Sequence, residues 1–310
     1  MGRLGAITDG SGTTQFQYDH RGNMLAQQQA IGSSPAAQLT YAYDLGDHIT
    51  QITYPSGRIV QYGRDTKGRV NLVRTKASAA IVPWTTIADT YAYEPFAAVK
   101  SFALGNGLSV ANDWGNDDRL ASRRLYQTGS GANLSWLSYA YDANDNIVSI
   151  IDQLNDAGSI FYGYDANDRL TSTLLTAGTA TTSSDAYSYA SGTNRLASVS
   201  GSTGTRSITY DGRGNTATES RPGSVNATAS YDGYGRLIGY TRTDVGALDF
   251  VYNGRDDRVA VTNGAGTRRF VYDADGRVLG EYGASAADVK AEFIWACRWS
   301  PPMPAAMPQP

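Results

Sequence analysis

One heptapeptide recurs along the whole of this 310-residue chain. A short motif repeated many times restricts the fold more than any single residue does, because each copy must build the same local unit and stack on its neighbours. Its clear copies read YDHRGNM (18–24), YDLGDHI (43–49), YDANDNI (141–147), YDANDRL (164–170), YDGRGNT (210–216), YDGYGRL (231–237) and YDADGRV (272–278). Degenerate copies lie between them: YGRDTKGRV (62–70), YEPFAAV (93–99), DWGNDDRL (113–120), YASGTNRL (189–196) and YNGRDDRV (252–259). The last starts, at 210, 231, 252 and 272, are 20 or 21 residues apart, and earlier intervals stretch to 31, which places the insertions in loops.

Residue by residue the motif reads as strand, turn, strand. Alternating runs such as Phe16-Gln17-Tyr18 and Ser207-Ile208-Thr209-Tyr210 lead into the turn as strands. The Asp side chain accepts from backbone N–H groups just downstream and starts the reversal. Gly or Asn four residues after the Tyr takes a positive φ that bulky residues resist. Arg or Asn follows, and then Leu, Ile or Val restarts the apolar alternation. The expectation is an all-β fold, a curved or spiralling sheet of tandem hairpins over residues 1–295. The motif residues that build it are Tyr18, Asp19, Gly22, Tyr43, Asp44, Gly68, Arg69, Tyr141, Asp142, Tyr164, Asp165 and Arg169. They continue through Tyr210, Asp211, Gly214, Tyr231, Asp232, Gly235, Arg236, Tyr272, Asp273, Gly276 and Arg277.

Composition agrees. The chain has 34 Gly and 21 Tyr, and only 18% of its residues are charged. Tyr and Thr suit a half-buried pleated surface, and Gly, Asn and Asp suit tight turns. A net charge of −3 gives no electrostatic reason to expect nucleic acid or an anionic membrane as partner. No apolar run approaches the roughly 20 residues that span a bilayer. The first residues, MGRLGAITDGSG, carry no secretory signal. The single cysteine, Cys297, excludes an internal disulfide framework.

The recurrent Arg (69, 119, 169, 195, 236, 258, 277) has two readings, a ladder of cationic ligand sites or a structural partner. Because an Asp accompanies the Arg in these motifs, the structural reading wins: each Arg stacks on a neighbouring Tyr or pairs with the motif Asp of the adjacent rung. Tyr rings at one phase of every repeat read as a stacked ladder more readily than as sugar platforms. His20 and His48 sit inside turns, and no Ser or Cys nucleophile stands in a local catalytic signature. Asp142 to Asn146 resembles the start of a calcium loop, but Ile147 stands where Gly is needed and Gln153 where the bidentate Glu belongs. The expectation is a non-enzymatic protein with no cofactor and no metal.

The Y-D-x-x-G-R-L motif iterated about every 20 residues resembles the YD repeats of the Rhs family, shared by wall-associated proteins, toxin-complex shells and the teneurin YD-shell. The resemblance runs from about Gly2 to Trp295. Gly2-Arg3-Leu4 resembles the tail of a further motif, and Val278 to Gly283 followed by Glu292 to Trp295 resembles the segment that leads into the Rhs core. The resemblance implies a secreted or cell-surface location within a larger protein. It also implies encapsulation of a C-terminal toxin polypeptide, with that polypeptide and the remaining shell segments as partners. The D-P-x-G-L element expected next in that family is absent, and residues 296–310, ACRWSPPMPAAMPQP, read as a disordered or aberrant Pro-rich tail. Two other readings stand beside this one: an adhesion module binding a cell-surface glycan or protein, and a truncated remnant without independent function.

Overall fold

A computed structural model of the chain describes residues 2–96, 98–154, 157–178 and 180–295. The Pro-rich tail, with Cys297, lies outside the described residues. Among the described residues twenty-six strands, from β1 (Ala6–Asp9) to β26 (Val289–Glu292), make one antiparallel sheet, with a short 3₁₀ turn at Pro222–Ser224 in one connection. Each strand pairs with the next in sequence, so the sheet is one continuous meander. The all-β expectation holds.

The pleat gives the sheet two unlike faces. From β16 (Ala180–Tyr189) to β22 (Gly246–Tyr252), most strands alternate residue by residue between exposed and half-buried positions. The exposed face carries Ser188, Thr205, Ser207, Thr209, Thr218, Thr228 and Thr241, and the half-buried face carries Tyr187, Ile208, Ala229, Tyr240, Leu248 and Phe250. Hydroxyls meet across strands on the exposed face, as in Ser188–Ser198 at 2.7 Å and Thr209–Thr218 at 2.6 Å.

The register shows which way the sheet curls. Followed from pair to pair, Ile52, Val60, Tyr62 and Val110 share the face of Tyr187 and Tyr240, whereas Ala260, Arg269 and Tyr282 share the face of Thr209 and Thr241. The main core joins Leu39, Ile52, Tyr54, Val60 and Tyr62 to Val271, Leu279 and Tyr282. The half-buried face of the first hairpins therefore lies over the opposite face of the last ones, as in a rolled sheet whose beginning overlaps its end. The half-buried face is the inner, concave one. Strand pairing stays open, because no pairing joins β1 to β26 among the described residues.

Only the overlap and the strands beside it are thick. A second inner-face cluster gathers Ala88, Val99, Phe102 and Val110. From Leu120 to Thr218 no apolar side chain among the described residues is fully enclosed. The accessible surface is 17537 Å² for 33.1 kDa, where a compact monomer of that mass exposes about 12,600 Å². The excess, roughly 5000 Å², is about twice what a fully extended fifteen-residue segment could supply. Much of the chain is a wall one strand thick.

Candidate functional site

Among the described residues the repeated unit is the constellation that recurs from end to end. In its turn the Asp carboxylate bridges two backbone N–H groups. Asp142 Oδ1 accepts from Asn144 and Asn146, both at 2.9 Å, and Asp273 Oδ1 accepts from Asp275 and Arg277, also both at 2.9 Å. The same pairs form at Asp44, Asp65, Asp165, Asp211 and Asp232. Asp19 differs slightly, accepting from Gly22 and Asn23. In the degenerate copy at 252–259 Asn253 does the same work, so the turn needs an acceptor and not a charge. The side-chain bond from Arg69 holds the Asp65 carboxyl below the usual range, and the bonds from Asn146 and Asn215 do so for Asp142 and Asp211.

The residue with positive φ stands where the motif puts it, four after the Tyr, but its identity differs from expectation. It is Gly22, Gly68, Gly214, Gly235 and Gly276 in some copies, and Asp47, Asp118, Asp145, Asp168 and Asp256 in others, never Asn. Asp is tolerated in this region because its short side chain bonds locally. Here it also serves the neighbouring rung: Asp168 Oδ1 accepts from Asn144 and Asn146 of the previous turn, at 2.9 and 2.8 Å.

The Tyr does more than stack. Just before it the ladder slips by one residue in ten hairpins of the described residues. On its other side, pairing with the preceding repeat stops short of the turn. The phenol closes that gap by donating to the carbonyl of the first outgoing residue of the preceding repeat. Tyr43 reaches Met24, Tyr141 Leu120, Tyr164 Ile147, Tyr189 Leu170, Tyr210 Leu196 and Tyr272 Arg258, at 2.7–2.9 Å. Burial pushes the phenols of Tyr141, Tyr164, Tyr189 and Tyr272 upward in pKa. Trp114 and Trp295 make the same bond through their indole N–H, to Val99 and Val278. The copy assigned to residues 62–70 begins two residues later than its Tyr suggests. Arg64 holds the Tyr position there and donates to Ile49, while Tyr62 is a core residue.

The Arg links rungs. Arg169 donates to its own Asp165 at 2.7 Å, lies 4.5 Å from the ring centre of Tyr189 in the next repeat, and donates to the Thr193 carbonyl at 2.7 Å. Arg236 binds Asp232, covers Tyr252 and reaches Asp256 at 2.9 Å, and Arg69 binds Asp65 and covers Tyr93. The pairing is thus with the Asp of its own turn, correcting the expectation of an adjacent-rung motif Asp. Adjacency makes this inevitable: the two side chains are four apart across a tight turn. The cross-rung reach goes instead to the left-handed Asp or to a carbonyl. Before Tyr231 the ladder slips as elsewhere, and Arg277 bonds Asp275 at 2.8 Å while lying 3.7 Å from its motif Asp273. Tyr18 lies under Arg3, at 5.5 Å from its ring.

The overlap has its own polar joint. Glu292, nearly enclosed, accepts from Ser56 at 2.6 Å, Arg58 at 2.6 Å and Tyr282 at 2.9 Å. Tyr54 donates to the Phe293 carbonyl at 2.8 Å, and the Gly254 N–H donates to Asp9 at 2.6 Å. The turn at Tyr54–Arg58 lacks the Asp of the heptapeptide, and this joint lies outside the motif. A cleft of about 290 Å³ opens between turns of the first and last hairpins, lined by Tyr43, His48, Arg64, Asp273 and Asp275. His48 lies 3.3 Å from Asp44 within its own turn, and His20 is exposed. No group of three or more His, Cys, Asp or Glu suited to a metal ion occurs among the described residues.

No family model matches the sequence, and no curated protein does either. Solved structures do match the fold. The TcdB2-TccC3-TEV crystal structure aligns over 89% of this chain at a TM-score of 0.67 and 15% identity, using 17% of that chain. The Photorhabdus luminescens Tc holotoxin pore, with a TccC3 mutation, aligns over 92% at 0.56 and 13% identity. TcdB2-TccC3 without its hypervariable C-terminal region aligns over 93% at 0.57 and 12% identity. The chain spans about a fifth of the length of the structures it matches. At such identities the likeness establishes the fold.

Proposed function

We propose that this chain is a structural, non-enzymatic segment of a YD-type shell that encloses a toxin polypeptide for delivery to competing cells. The observation that carries the reading is the one-strand wall with an uncovered inner face. That face is rich in Tyr and aliphatic side chains, and the outer face is hydroxyl-rich. A globular domain would cover such a face with a second layer. A shell leaves it for cargo. The motif Asp closes its own turn, and Tyr and Arg tie neighbouring rungs in copy after copy, so the repeat reads as wall and not as reaction centre. Likeness of fold to Tc toxin components supports the same role.

The test is positional. A photo-crosslinking residue replaces inner-face Tyr240 or its outer-face neighbour Thr241 in cells that produce the protein from its own locus. The reading expects cross-links from position 240, and few from 241, to a polypeptide encoded contiguously with the chain and identified by mass spectrometry. Equal labelling from both positions, or none from 240, contradicts it.

A further inference from the structure

The longest interval between repeats ends at Tyr93, and the structure puts the extra residues in one place. They form the loop 77–84, between β7 (Val70–Lys76) and β8 (Thr85–Tyr93). Nothing in the rung plan requires it, since comparable hairpins turn in a few residues. Its sequence from Ala79 is Ala-Ala-Ile-Val-Pro-Trp. Ala79, Ala80, Ile81, Val82 and Pro83 are all exposed, Val82 at 81%. Five consecutive exposed apolar residues are a liability in a soluble surface unless something covers them.

The base of the loop is built differently. Two cations lie over Trp84, with Arg74 4.7 Å and Lys76 4.8 Å from its ring centre. Arg74 is fixed by Gln61 Oε1 at 2.9 Å, and Lys76 donates to the Ala79 carbonyl at 3.1 Å. The loop is thus an apolar tip on a cationic, aromatic stem. The stem carries two cations, Arg74 and Lys76, and no carboxylate lies between Asp65 and Asp89 in the chain, whereas Arg69, at the other end of the strand, is paired with Asp65. A net charge of −3 for the whole chain hides this local excess.

We propose that loop 77–84 is a contact site for an anionic lipid surface. Ile81 and Val82 enter the headgroup–acyl boundary, Trp84 sits at the interface, and Lys76 faces the phosphates. Three features select lipid over a protein partner. The tip carries no side-chain hydrogen-bonding group between Ala79 and Pro83 that would confer specificity, a Trp marks the depth at which amphipathic rings settle, and the cations lie behind the tip, at headgroup level. The contact is peripheral and reversible, because so short a segment buries little apolar area.

Flotation of the full chain with vesicles tests this, using phosphatidylcholine alone or mixed with phosphatidylglycerol. The expected result is binding to the mixed vesicles that salt weakens, with less binding to phosphatidylcholine. Ile81→Asp and Val82→Asp, each made separately, lower the bound fraction about tenfold. Lys76→Gln lowers it roughly fivefold. Circular dichroism and thermal unfolding confirm that each variant keeps the fold, and the 81% exposure of Val82 makes that substitution safe for the wall. Three results overturn the proposal: no flotation with either vesicle, flotation unchanged by both Asp variants, or loss of a protein contact in those variants while vesicles never bind.

Discussion

Replacing Tyr189 by Phe isolates the hydrogen bond that ties one rung to the next. The phenol donates to the Leu170 carbonyl at 2.8 Å, and the Arg169 guanidinium lies 4.5 Å from the ring centre. Phe keeps the ring, the stacking and the packing, and leaves only the carbonyl without its donor. A net hydrogen bond contributes about 1 kcal/mol, and a half-buried carbonyl left unpaired raises the loss toward 2 kcal/mol. Tyr189→Ala removes the ring as well and costs roughly 3 kcal/mol. Tyr141, Tyr189 and Tyr272 are two or more rungs apart, so the triple Phe variant loses about 3–6 kcal/mol by addition. Tyr234→Phe, at a turn residue 88% exposed, serves as the neutral control. Denaturant unfolding gives the totals, and hydrogen exchange at residues 170–172 and 186–189 locates the loss. A triple variant as stable as the parent, or a Phe variant as damaging as Ala, would refute the reasoning.

Gly276 has φ +79 and open space where a Cβ would sit, so Gly276→Ala tests conformation alone; it should cost about 1 kcal/mol in denaturant unfolding. Glu292→Ala leaves Arg58, Ser56 and Tyr282 without their shared acceptor. Since Arg58 is a third exposed, about 2 kcal/mol is expected, and exchange should rise at residues 52–60 and 279–294 but not at 160–210. Acid should weaken the wall through its turns. The Asp65, Asp142 and Asp211 carboxyls are depressed in the folded chain, so their contribution is complete above the unfolded value near 3.9 and is lost as pH falls through the lower folded values. Asp142→Asn with Asp211→Asn, copying Asn253, should flatten that part of the thermal-stability profile below about pH 4 while leaving neutral stability little changed.

The hairpin array was legible because its signals are local. Tyr–Asp, a left-handed position and a returning apolar residue fall within seven residues, and the Asp bridge follows from geometry that Asx residues share. The phenol bond to the preceding rung was not legible, because its acceptor is a backbone carbonyl in another repeat and every residue type supplies one. The left-handed Asp was hidden by similar logic: Asp145 and Asp168 look like ordinary turn carboxylates until the neighbouring Asn side chains are seen to reach them. Arg64 in the Tyr position misled alignment on aromatic residues. The overlap of the first and last hairpins depends on accumulated twist over the whole sheet, and Glu292 gives no sign in sequence that Ser56 and Arg58 will meet it.

Small-angle X-ray scattering of the purified chain tests most directly whether this is a rolled, one-strand wall. A compact protein of 310 residues has a radius of gyration of about 19.5 Å. The rolled wall predicts a clearly larger value and a distance distribution weighted toward long vectors, as its surface of 17537 Å² requires. A radius at the compact value with a symmetric distribution would show that the inner face is filled, and would contradict the account.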